Sequence, residues 1–183
     1  MKFYLFVFTQ FIILLFLFSC NQISSTEKEL REIINTSLQV KQFDTVIHKS
    51  TILPFKEVRE MHDYLSIIHL QNGCKPCYPK FLEWHQKMDS LFLNDNHALL
   101  FVIQGNDYSE FMTHVLYIDF VDDKYYTIMD PESKFLEQNK DIPKWIIDAG
   151  ILIDAENKIK MVGAPWLNED MTELFYKTVN SEQ

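Results

Sequence analysis

The chain has 183 residues, 47% of them apolar, and a formal net charge of −9 at neutral pH. That is enough apolar material for a buried core, and one domain with an N-terminal extension accounts for the length. An acidic chain with no basic stripe is a poor match for phosphate backbones, and its four glycines form no G-x-G-x-x-G loop, so no nucleic-acid partner and no dinucleotide fold of that kind is expected.

In chain order, Lys2 precedes an apolar run from Phe3 to Phe18, and Cys20 closes Leu17-Phe18-Ser19-Cys20. A charged start, an apolar core and a small residue before the cut predict a signal peptide over residues 1–19. The run is short for a membrane span and lacks charge on both flanks. The tetrapeptide resembles the lipobox of bacterial lipoproteins. That resemblance implies a lipid on Cys20, export, and anchoring to a bacterial membrane facing the periplasm or the cell exterior. A soluble secreted chain is the alternative. Residues 20–50 read as a tether and N-terminal extension, with Thr26 capping a helix from Glu27 to Thr36 and Glu29 as its capping-box partner. Residues 37–60 carry imperfect alternation broken by Pro54, which suggests an edge strand or extended lead-in.

The expected domain covers residues 51–183. Leu65 to Leu70 predicts a strand and Lys75 to Phe92 a helix with one apolar face. His97 to Gln104 is a continuous apolar run suited to a strand buried on both faces. Ser109 caps a helix from Glu110 to about Asp119, Tyr125 to Met129 is a strand, and Glu132 to Asn139 a short helix. Trp145 to Asp154 and Lys158 to Val162 predict a hairpin, and Glu169 to Val179 a closing helix with Met171, Leu174, Phe175 and Val179 inward. This order predicts an α/β fold with a central mixed sheet and helices on both faces.

Cys74-Lys75-Pro76-Cys77 falls between the first core strand and its helix. A helix start carries unpaired N–H groups and partial positive charge, which favour a thiolate, and residues three apart on a helix share a face, so the sulfurs can bond. Such a pair closes too short a loop to be a strong staple. In the expected disulfide exchange, Cys74 attacks a partner and Cys77 resolves the mixed disulfide. Lys75 adds positive charge beside Cys74, and Pro76 lacks an N–H where none is needed. His69 ends the strand that leads to the site and could tune Cys74 or carry a proton to Cys77, or serve only as a strand-end hydrogen-bonding residue. A metal would need both cysteines plus two more ligands, for which only His69 and His85 are plausible; no metal and no cofactor is expected. Among the aromatics, Trp166 is the expected exposed one.

Element order and motif together resemble the thioredoxin fold, a three-layer sandwich, and more narrowly the membrane-tethered thiol–disulfide oxidoreductases of TlpA type. The likeness rests on Cys74-Lys75-Pro76-Cys77, on Ile128-Met129-Asp130, on Ile151 to Ile159, which is similar to F-L-I-D-x-x-G-x-I, and on Val162-Gly163-Ala164. It implies a cell-envelope enzyme that exchanges disulfides with the thiols or disulfides of partner proteins. It also implies a substrate-facing loop at Asp148-Ala149-Gly150, where the family places a cis-proline. No proline stands there, and Gly73 replaces the family's tryptophan before the first cysteine. The absent cis-proline motivates one alternative, a redox-weak binding module that holds a partner protein or a metal; a third reading is a surface lipoprotein whose cysteines are only structural.

Overall fold

A computed structural model describes residues 24–91, 96–122 and 124–180. The expected signal peptide, the lipidation site Cys20 and the start of the tether lie outside these residues. The chain divides into two units, Met1–Arg31 and Glu32–Gln183, and the sheet belongs to the second. The second unit therefore begins well before residue 51, because Leu38, Val40 and Val46 are all buried in its core.

The elements are α1 (Ser25–Ile33), β1 (Thr45–His48), β2 (Thr51–Pro54), α2 (Phe55–Met61), β3 (Tyr64–Gln71), α3 (Cys77–Ser90), β4 (His97–Gln104), α4 (Tyr108–Ile118), β5 (Tyr126–Met129), α5 (Lys134–Gln138), α6 (Lys144–Ala149), β6 (Ile151–Ile153), β7 (Ile159–Val162) and α7 (Glu169–Val179). The strands form one mixed sheet in the order β2-β1-β5-β4-β3-β6-β7. β3, β4 and β5 run parallel, and β1 and β6 join them antiparallel. Ile68 and Leu70 of β3 and Leu99, Phe101 and Ile103 of β4 share a core with α3, α4 and α7. Successive strand side chains alternate faces, so His69 points the other way, where its ring stacks on Phe135 of α5. The result is the expected α/β architecture, a central sheet flanked by helices.

Several local expectations are corrected. Ser24, not Thr26, caps α1, accepting the Glu27 N–H at 3.1 Å. The lead-in is a hairpin whose loop residues Lys49 and Ser50 both have positive φ, at 48° and 60°, and α2 follows it. Asp107 rather than Ser109 caps α4 by accepting the Glu110 N–H. The segment before β6 is helix, not strand: α6 starts at Lys144, just after Pro143 at the N-cap, and buries Ile146 and Ile147. Leu174 faces outward, while Phe175 and Val179 are buried as expected. Trp166 packs edge-on against Trp84 and donates to Glu83 Oε1, whereas Tyr117 and Phe120 are the strongly exposed rings.

Candidate functional site

β3 runs through the middle of the sheet and delivers the chain to its end at Gln71. Asn72 fixes the exit: its N–H donates to Gln104 O at the end of β4, and its side-chain amide donates to Glu110 Oε2. Gly73 turns the chain at φ +78°, a conformation that costs little only without a Cβ, and its N–H reaches Tyr78 Oη at 2.9 Å. The tyrosine hydroxyl donates in turn to Asn72 Oδ1. At Gly73, the position where the sequence resemblance noted above would have tryptophan, the turn could hold a larger side chain only with strain.

Cys74 and Cys77 are joined by a disulfide, with Cα atoms 5.4 Å apart. α3 begins only at Cys77. Cys74 therefore sits one turn ahead of the helix, and the Cys77 N–H closes that turn on Cys74 O at 2.9 Å. The sulfurs meet across this turn, with Pro76 already in helical φ/ψ, rather than along a helix face. Cys77 packs against the apolar core, and the Gln71 N–H donates to its Sγ at 3.4 Å. Lys75 is exposed.

Beside the disulfide lies a cavity of about 220 Å³ lined by both cysteines, Pro76, His69, Lys80, Lys144 and Asp148. His69 is 5% exposed, and its Nδ1 lies 3.7 Å from Asp148 Oδ1. Burial lowers the proton affinity of this imidazole, with Asp148 opposing the shift, so the ring is held neutral at neutral pH. Lys144 closes on both carboxylate oxygens of Asp148, at 2.8 and 2.6 Å. Lys80 Nζ donates to two backbone carbonyls, Asp148 O at 2.6 Å and His69 O at 3.3 Å. Burial likewise lowers its proton affinity.

Of the three residues expected in a substrate-facing loop, Asp148 lines the cavity. Ala149 ends α6, and Gly150 is buried beneath Trp84 and Ile68. No cis peptide occurs among the described residues. His85 is also turned away: its ring bonds Asp122 O at 2.5 Å. Among the described residues no group of three or more His, Cys, Asp or Glu side chains is placed to hold a metal, and no helix is long and apolar enough to cross a membrane.

Sequence reasoning missed Lys80 and Lys144. Lys80 was within reach, since it stands three residues past Cys77 and so lies one helical turn along the same face. Lys144 announces itself only through the position of α6.

The chain resembles solved structures at low identity. One is a thiol–disulfide oxidoreductase from Bacteroides fragilis (17% identity, TM-score 0.54, covering 76% of this chain and 99% of that one). Another is the thioredoxin domain of a thiol–disulfide oxidoreductase from Bacteroides vulgatus (15%, 0.50, 80% and 98%). A third is a candidate thiol:disulfide interchange protein from Chlorobium tepidum (13%, 0.53, 74% and 92%). No family model and no curated protein matches the sequence. The fold is thioredoxin-like. Within it, this chain carries a Cys74–Cys77 disulfide at the junction of a central strand and its following helix.

Proposed function

We propose that the protein is a cell-envelope thiol–disulfide oxidoreductase of TlpA type that works through Cys74 and Cys77. The observation that carries this reading is the disulfide beside a cavity holding a neutral imidazole and fixed charges. In the reducing direction the Cys74 thiolate attacks a partner disulfide. A Cys74–partner disulfide forms and the partner's other sulfur leaves as thiolate. Cys77 then loses its proton to His69, attacks Cys74 Sγ and releases the second partner thiolate. The partner gains two electrons and the dithiol becomes the disulfide; oxidation of a partner is the same path reversed. Cys74 takes the attacking role because Cys77 is the sulfur packed against the core. Asp148 holds His69 in place.

A Cys77→Ser variant purified from cells should retain partner chains through Cys74, released by dithiothreitol, and Cys74→Ser should retain none. Equal retention by both variants, or a dithiol inert toward disulfide substrates, sinks the reading. A second reading, a binding module with weak turnover, is favoured by the way α6 leads into β6 without a cis peptide. In that case the same partners stay bound when both cysteines are serine.

The lipobox-like tetrapeptide supports removal of residues 1–19, a lipid on Cys20 and a tether leading to the redox domain. Cys20→Ser should move the protein out of the membrane fraction; unchanged partitioning refutes the anchor.

A further inference from the structure

The geometry points to Lys80 as the residue that sets the redox poise of the Cys74–Cys77 pair: its ammonium, clamped between the ends of β3 and α6, is the cation that stabilises thiolate when the disulfide opens. This inference rests on the exchange reading above.

Three observations carry it. Lys80 lies one helical turn past Cys77 and lines the same cavity as both sulfurs. Its Nζ is held by two backbone carbonyls from different elements, His69 O and Asp148 O, so the charge is fixed rather than swinging in solvent. The other charges do not replace it. Lys144 and Asp148 form a closed pair whose charges largely cancel, and Lys75 is exposed and is not among the residues lining the cavity. Lys80 is therefore the cation fixed beside the disulfide, with Asp148 and Glu83 as its neighbouring carboxylates and Lys144 opposing them.

The hydrogen bonds of this half-buried ammonium go to neutral carbonyls, and burial outweighs the attraction of Asp148 and Glu83, which agrees with the downward shift of its proton affinity. Opening the disulfide supplies a further counter-charge on the cavity side. When a small dithiol or two glutathiones reduce the pair, the Cys74–Cys77 bond breaks, the reductant's sulfurs join, and two electrons pass to the protein. Of the two protons released by the reductant, one is retained on Cys77 and one goes to solvent, leaving Cys74 as thiolate. The cation lowers the energy of that product and not of the neutral disulfide, so it makes the protein a stronger oxidant.

The test equilibrates the protein with glutathione buffers and follows the pH profile of iodoacetamide alkylation of the reduced form. Lys80→Met should shift the equilibrium constant about tenfold toward disulfide, which is about 30 mV, and move the alkylation midpoint to higher pH. Lys80→Arg should stay near wild type. Lys80→Gln, which keeps an N–H donor without the charge, should follow Lys80→Met and serves if the latter unfolds. Neutral variants with unchanged equilibrium and alkylation profiles overturn the role of Lys80, as does a loss of stability with no shift in either. A wild-type protein that does not exchange with glutathione at all overturns the exchange reading instead.

Discussion

Gly150 separates α6 from β6 near the point where the resemblance would put a cis-proline and this sequence has none, and replacing it by alanine tests why this chain turns there differently. Its φ is +93° and its ψ 143°, a region open to glycine and nearly closed to other residues. A Cβ at this position would lie 2.8 Å from Trp84 Cζ2 and 2.9 Å from Ile68 Cδ1. Both contacts are shorter than real Cβ atoms tolerate, and both neighbours are buried in the main core. Backbone strain of about 2 kcal/mol and core overpacking of about 2 kcal/mol add to about 4 kcal/mol. For a protein of this size each kcal/mol moves the melting temperature by about 2–4 °C, so Gly150→Ala should lower it by roughly 10 °C. Gly73→Ala is the internal control. Its φ is +78°, but nothing lies within 4 Å of the place a Cβ would take, so only strain of about 1–2 kcal/mol applies. Urea unfolding of both variants, with Trp84→Phe to remove the clashing ring atoms, gives a double-mutant cycle. About half of the overpacking share should vanish in the Trp84→Phe background, because the Ile68 contact remains, a coupling of about 1 kcal/mol. If Gly150→Ala costs no more than Gly73→Ala, or the cycle shows no coupling, the steric reasoning fails.

Three further outcomes are expected. Burial lowers the His97 proton affinity to about 3, and Ser66 Oγ lies 2.9 Å from its Nε2. Below pH 6.5 the unfolded chain binds a proton that the folded chain refuses, so stability is lost as pH falls from 6.5 toward 3, by up to about 1.4 kcal/mol per pH unit. His97→Gln should flatten that part of a pH–stability curve, and an unchanged slope contradicts the assignment. Asp130 is buried and accepts the Lys134 and Phe135 N–H groups at the start of α5. Asp130→Ala should cost about 3 kcal/mol in chemical denaturation and, by loosening Phe135 under His69, slow disulfide exchange as well; full stability argues against it. Asn139 bonds both the N–H and the C=O of Gln39. Asn139→Ala should cost about 2 kcal/mol and speed amide hydrogen exchange around residue 39, and unaltered exchange there counts against this tie.

What sequence alone determined is what local pattern encodes. The run from His97 to Gln104 is apolar at nearly every position, and it is the strand β4 over those same residues, buried along almost its whole length. Glu169 to Val179 repeats with helical period and is α7. The C-x-x-C spacing was sufficient for a disulfide, because closing a four-residue turn needs nothing distant. The short elements were not legible. α2 and α6 have seven and six residues, too few for a period to separate helix from strand. The β1–β2 loop uses Lys49-Ser50 in place of the usual Asn-Gly signal. Tertiary structure alone decided what surrounds the sulfurs. Lys80 reaches Asp148 across 68 positions of chain, through the antiparallel pairing of β6 with β3 that sets the end of α6 against the disulfide. Contacts of that range depend on how strands order themselves in a sheet, and strand order is settled by burial over the whole core rather than by any one segment.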